Sequence, residues 1–182
     1  KGLHLLVEAF IDLKRRDSCR ALRLKIGGGC GPGDQKYVDR LRKHLRSEGV
    51  LGDVEFHPNL DRGQKQEFFK SLSVFSVPAL YGEAFGLYLV EAMAAGVPVV
   101  QPRHAAFPEI VEHSAAGLIA EANAGSLADT IESVLGNKSR YNAFRKEAVA
   151  AAKEYYSIEV MAKNMVATLG KHANPSASAA SN

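Results

Sequence analysis

Apolar residues recur at helical spacing from the start of the chain, where Leu3, Leu6, Val7, Phe10 and Leu13 share one side of a predicted helix. Leu22, Leu24 and Ile26 then alternate with Arg23 and Lys25, the period of a strand. A glycine cluster from Gly27 to Gly33, broken by Pro32, ends that strand. A second helix follows from Gln35 to Ser47, with Tyr37, Val38, Leu41 and Leu45 on its buried side and Gly49 closing it. Val54 to Phe56 predicts a short strand and Asp61 to Leu72 a helix with Phe68, Phe69 and Leu72 on one side. Val74 to Val77, β-branched and aromatic and bounded by Pro78, predicts the next strand.

The alternation continues. An alanine-rich helix runs from about Gly86 to Gly96, Val97 to Val100 forms a buried strand, Phe107 to Glu112 a short helix, and Gly117 to Ala120 a last strand. Ser126 with Asp129 reads as a capping-box variant opening a helix to about Leu135. Two more helices are predicted, from Ser139 to Tyr155 and from Ser157 to about Gly170, before a Pro/Ser/Ala/Asn-rich tail over 172–182 that is expected to be flexible. Short apolar strands separated by longer helices give an α/β, Rossmann-like parallel sheet with helices on both faces and a helical C-terminal end. Ligands of such sheets bind outside the carboxyl ends of the strands. Four loops are therefore candidates: Gly27 to Gly33, His57 to Leu60, Ala79 to Phe85, and Gln101 to Phe107.

Composition narrows this picture only slightly. With 182 residues, 46% hydrophobic and 24% charged, one folded domain is expected and general disorder is excluded. No apolar run approaches the ~20 residues that span a bilayer. Cys19 and Cys30 are the only cysteines and suit neither a zinc knuckle nor a disulfide framework, so a reducing, cytoplasmic setting is expected. The chain opens Lys-Gly-Leu-His with no leader, and reads as a piece of something longer. Its net charge of +3 is concentrated early, in Lys36, Arg40, Arg42, Lys43 and Arg46. That run is expected to be the solvated face of the second helix, although it could attract nucleic acid or an anionic lipid surface.

The stretch from Tyr81 to Val100 carries the most chemistry. If its helix begins near Gly86, the amides of Phe85, Gly86 and Leu87 lie unpaired at the positive helix end, which favours an anion such as a diphosphate. Gly86 permits a close approach. Glu91 lies about 7.5 Å along the axis at 1.5 Å per residue, and its side chain leans back toward the N-terminus, which is roughly a phosphate-to-ribose span. A carboxylate there can accept from both ribose hydroxyls, while Glu83 on the loop can face sugar hydroxyls beyond the other end of the diphosphate. The plainer reading of each acid alone is that Glu83 caps its own helix and Glu91 sits half exposed beside an apolar stripe.

Glu83 and Glu91, separated by seven residues, closely resemble the Glu-x7-Glu motif of retaining glycosyltransferases of the GT-B fold, particularly the large family 4 that uses nucleotide sugars. The similarity extends over nearly the whole chain: Lys1-Gly2-Leu3 with Leu6, Glu8, Ala9 and Phe10; Leu24 to Pro32; Val54 to His57; Glu83 to Val100; Pro108 to Val111; and Gly117 to Ile119. It implies that residues 1–171 are the C-terminal, nucleotide-sugar-binding half of such an enzyme, acting with an N-terminal acceptor-binding domain. It further implies that Glu83 is the catalytic residue and contacts donor-sugar hydroxyls, that Glu91 binds the ribose, that the Phe85 to Leu87 amides hold the diphosphate, and that Lys1 is the phosphate-binding lysine. Ala84 stands where the family commonly has Gly or Ser. Gly28 in the glycine loop, and His57 beside Pro58 at the end of the Val54 strand, are placed near the nucleotide and its base. For a terminal lysine, a glycine loop and a surface histidine, the competing readings are a solvated end, a flexible turn and a solvated ring.

The expected substrate is an NDP-sugar, UDP- or GDP-linked, whose hexosyl group passes to an unknown acceptor. No Asp-x-Asp occurs and no metal or other cofactor is expected. Peripheral membrane association of the whole enzyme is compatible with this reading, and nucleic acid is not an expected partner. A dinucleotide oxidoreductase is disfavoured because the G-x-G-x-x-G register meets Pro32, Asp34 or Lys36 at its last position. Two further readings compete with the transferase: a GT-B nucleotide-sugar epimerase or phosphorylase, and a non-enzymatic module that binds nucleotide or nucleic acid.

Overall fold

The computed structural model describes residues 1–173. In chain order it contains α1 (Leu3–Lys14), β1 (Leu24–Gly28), α2 (Gln35–Ser47), β2 (Val54–Pro58), α3 (Arg62–Lys70), α4 (Leu87–Ala94), β3 (Val99–Pro102), α5 (Phe107–Ser114), β4 (Gly117–Ala120), α6 (Ala124–Gly136), α7 (Lys138–Tyr156) and α8 (Ile158–Ala173). β1 pairs parallel with β2, from Leu24 opposite Val54 to Gly28 opposite Pro58, and β3 pairs parallel with β4. α8 runs past the predicted end of the folded part, and the expectation of a flexible tail over 172–182 falls almost wholly outside the described residues.

Successive residues of a strand point to opposite faces, and here they enter different cores. Val99 and Ile119 join a cluster with Leu89, Met93, Phe107 and Ile110, whereas Val100, Leu118 and Ala120 join Leu13, Leu127 and Ile131. Helices α4 and α5 thus cover one face of β3 and β4, and α1 and α6 the other. A third cluster fastens α2 onto β1 and α1 through Leu41, Leu45, Leu24, Val7 and Phe10. The basic residues of α2 lie on its exposed side, as its apolar pattern requires.

Two expectations need correcting. Val74 to Val77 does not form a strand; only Phe75 pairs, its N–H donating to Pro98 O at 2.9 Å and its carbonyl accepting from Val100 N at 3.0 Å. The ladder stops because Val77 N donates instead to the side-chain Oε1 of buried Gln101, and Pro78 has no N–H to offer. The cap of α6 is Asn123, whose Oδ1 accepts from Ser126 N at 2.8 Å, and not Ser126. Ser126 Oγ accepts from Glu121 N, and Asp129 pairs with Arg16, which also holds Asp12 and Glu132 and so ties α1 to α6. The helix begins three residues earlier than expected because Asn is an equally good cap.

Candidate functional site

Gly2 sets the position of Lys1. Its backbone is left-handed, with φ 73°, and a Cβ there would lie 1.8 Å from the carbonyl oxygen of Pro78. Only glycine permits that approach, which brings the start of the chain against the segment leading to Glu83. Gly2→Ala is expected to destabilise the fold by about 1–3 kcal/mol through backbone overpacking; an unchanged melting temperature would show that this approach does not limit packing.

Lys1 Nζ donates to Glu83 Oε2 at 2.8 Å, and the phenol of Tyr88 donates to the same oxygen at 2.8 Å. The ammonium also lies over the Tyr88 ring, 4.9 Å from its centroid. The Glu83 side chain is 16% exposed and that of Lys1 49%. The Lys1 hydrogen bond, followed by that of Tyr88, holds the Glu83 carboxyl below the usual carboxylate range, and the Gly86 amide adds to the effect. Glu83 is thus kept ionised. Burial, reinforced by the neighbouring carboxylate, pushes the Tyr88 phenol upward, so it remains a donor.

α4 opens beside this cluster. Its N-cap is Gly86, left-handed at φ 76°, and no side chain caps the first turn. Leu87 is exposed and Phe85 half exposed. The helix mouth, with its backbone donors and positive dipole end, is not sealed by a capping group. A Cβ on Gly86 would be 3.4 Å from the Phe107 ring and 3.5 Å from Glu83 Cγ and the Tyr88 ring, so three side chains frame the mouth. Glu83 therefore does not cap its helix in the usual sense, although its carboxylate feels the Gly86 amide.

Glu91 sits on the exposed side of α4, where Lys65 of α3 donates to its Oε1 at 2.5 Å. The two side chains are 31% and 42% exposed. α3 is anchored by a capping box in which Asp61 and Gln64 satisfy one another's backbone N–H groups, and this places Lys65 one residue later.

At the neighbouring strand ends, His57 lies opposite Gly27 and Pro58 opposite Gly28. The His57 ring contacts Glu55 at 3.3 Å and meets the edge of Phe68 at 5.5 Å between centroids. Gly28 has φ 154°, with open space where a side chain would stand. The glycine loop is clamped by Asn59. Its Oδ1 accepts from Cys30 N at 2.9 Å, its Nδ2 donates to Cys30 O at 3.0 Å, and its own N–H donates to Gly28 O. The loop is thus held by hydrogen bonds and is not a free turn.

A run of edge-to-face aromatic contacts connects these two ends. From His57 it passes to Phe68, then to Phe69 at 6.0 Å, Phe75 at 5.2 Å and Tyr88 at 6.1 Å, which ends on Glu83. Ala84 and Phe85 also line a cavity of about 440 Å³ bounded by Glu109, His113, Tyr155 and Tyr156. Glu83 and Glu91 are not among its walls. Tyr88, Lys65 and Asn59 are site residues that no motif in the sequence singles out. Among the described residues no group of His, Cys, Asp and Glu could hold a metal ion, and no helix is long and apolar enough to cross a membrane.

Residues 1–151 match the family described as Glycosyl transferases group 1. The chain is 32% identical, over 84% of its length, to a D-inositol 3-phosphate glycosyltransferase of Nocardia farcinica, of which it covers 34%. It is 35% identical over 59% of its length to a phosphatidyl-myo-inositol mannosyltransferase of Mycobacterium leprae, covering 30% of that protein. The chain thus spans about a third of the length of these curated relatives. Among solved structures, Anabaena HepE in complex with UDP and glucose superposes over 94% of this chain and 45% of its own, with a TM-score of 0.82 at 22% identity. The C-terminal domain of the group 1 glycosyl transferase LpcC from Francisella tularensis matches 87% of this chain and 80% of its own, with a TM-score of 0.76 at 20% identity.

Proposed function

The chain belongs to the glycosyl transferases of group 1, and we propose that it is the donor-binding, C-terminal half of a retaining, metal-independent family 4 enzyme that passes a hexosyl group from an NDP-sugar to an acceptor. The observation that carries this reading is the ionised Glu83 carboxylate at the mouth of the uncapped α4, with the Lys1 ammonium 2.8 Å away. A diphosphate seated there meets backbone N–H groups, the helix dipole and a cation, which together stabilise the charge that develops on a departing nucleotide. Glu83 accepts from hydroxyls of the sugar to be transferred, and Glu91 from those of the ribose. His57 and the clamped glycine loop frame the base.

In such an enzyme a further domain supplies the acceptor-binding site. α8 supports that part of the reading, because Ile158, Met161, Met165, Val166 and Leu169 stand exposed along it, an apolar stripe suited to burial against further chain. The free Cys19 and Cys30 suit a cytoplasmic enzyme. Among relatives, one is a GDP-mannose-dependent mannosyltransferase of Mycobacterium tuberculosis acting on a phosphatidylinositol monomannoside, whereas HepE was solved with UDP and glucose. Both GDP and UDP donors are therefore candidates, and a lipid-linked acceptor would bring the enzyme to a membrane surface.

A thermal-shift panel of UDP, GDP, ADP and their sugars in EDTA tests this reading. A ligand that binds only the folded form stabilises it by RT ln(1 + [L]/Kd), about 2.7 kcal/mol at a hundredfold excess over Kd. One nucleoside diphosphate is expected to raise the melting temperature in EDTA. Silence across the panel, or a response only to added metal, overturns the proposal.

A further inference from the structure

We infer that Tyr88 is a positioning residue for Glu83, its phenol fixing one carboxylate oxygen so that the other faces the transferred sugar while Lys1 is released to the diphosphate. The inference rests on the reading of Glu83 as the sugar-facing acid. It begins from an asymmetry: Lys1 Nζ and Tyr88 Oη both donate to Oε2, and neither donates to Oε1. A carboxylate oxygen has about two acceptor positions, so Oε2 is fully used, and Oε1, which no side chain occupies, keeps acceptor capacity for a ligand alongside the influence of the Gly86 amide.

The two donors differ in how easily they can leave. Lys1 is half exposed on a flexible stem, and a diphosphate carries more charge than one carboxylate, so the ammonium can turn toward it. Tyr88 cannot follow. Its ring packs against the core cluster of α4 and α5, and meets Phe75 edge to face at 6.1 Å. Phe75 is itself fixed by its bridge to Val99. When Lys1 moves, the phenol remains as the side chain that keeps Glu83 aimed. The Tyr88 ring also lies under the Lys1 ammonium, 4.9 Å from Nζ to its centroid.

The titratable groups facing Glu83 are Lys1 from before α1 and Tyr88 from α4, with Tyr81 of the preceding loop acting on Tyr88 in turn. Both hydrogen bonds favour the ionised acid, so removing the phenol raises the pH at which Glu83 protonates.

In the full-length enzyme, Tyr88→Phe is expected to lower kcat about tenfold, the scale of one hydrogen bond to a charged group. Donor KM and the Kd of the nucleoside diphosphate should stay within about twofold, since neither depends on the aim of Glu83. The acid limb of the kcat profile should move to higher pH. A merely structural tyrosine would not move that limb, whose position is readable on residual activity even if the variant melts lower. Unchanged kcat, or a loss of kcat with the limb unmoved, overturns the inference. Glu83→Gln is measured alongside. If it turns over like the wild type, the role of Glu83 has failed; if it is impaired while Tyr88→Phe is not, only the role of Tyr88 has.

Discussion

Glu83→Gln is expected to lower kcat of the full-length enzyme by roughly a hundredfold and to leave nucleoside diphosphate affinity within about twofold, the pattern of a group whose interaction is realised in the transition state. The amide keeps the shape of the side chain but loses the charge that the site is built to hold. Lys1, Tyr88 and the Gly86 amide all act to keep this carboxyl ionised. Its lowered pKa keeps the carboxylate anionic to lower pH than an ordinary glutamate. Folding is largely spared, because the Lys1 end of the ion pair is half exposed and such pairs contribute about 0–1 kcal/mol. Nucleotide affinity is expected to be spared because the proposed arrangement assigns the diphosphate to amides and Lys1, and the variant frees Lys1 for it. Isothermal titration with the diphosphate, set beside initial rates, separates the two. A parallel loss of affinity would place Glu83 on the nucleotide and undo the division of roles.

The order of elements and the placement of Glu83 and Glu91 about α4 were readable because both depend on local signals. Helical and strand periods, Gly49 and Gly86 at helix ends, and the strand-end rule act within a few residues of one another. What could not be read depends on contacts between distant parts of the chain. Lys65 and Glu91 are 26 positions apart, and it takes the packing of α3 beside α4 to bring them together. Lys1 and Glu83 are 82 apart, and nothing local joins them. The short pairing of the Val74 to Val77 segment turns on the Gln101 side chain competing for Val77 N. Asn59, at φ 54°, carried a usable signal, since asparagine enters the left-handed region more readily than most residues, but its clamp on Cys30 is a tertiary fact. Tyr88 was the most legible of the site residues that no motif marks. It lies five residues after Glu83, in the first turn of the helix that Glu83 precedes, where a long polar side chain can reach back across the mouth.

Glu91→Ala is expected to weaken nucleoside diphosphate binding by about 1.5–3 kcal/mol, the range for hydrogen bonds to a charged group, or roughly 10- to 150-fold in Kd. Lys65 bears on this prediction, because its ammonium already occupies Glu91 Oε1. The pair is partly exposed on both sides, so breaking it costs little in stability. The second oxygen, Oε2, stays available for a ribose hydroxyl, and Lys65 holds the acid turned toward α3. The decisive comparison is between ligands. A 2′,3′-dideoxy nucleoside diphosphate should bind the wild type about as weakly as the ribonucleotide binds Glu91→Ala, and the substitution should add little further loss for the dideoxy ligand, since acid and hydroxyls form one interaction that is lost only once. If Glu91→Ala weakens both ligands equally, the acid acts on some other part of the nucleotide or only through Lys65, and the ribose assignment fails even though the residue matters.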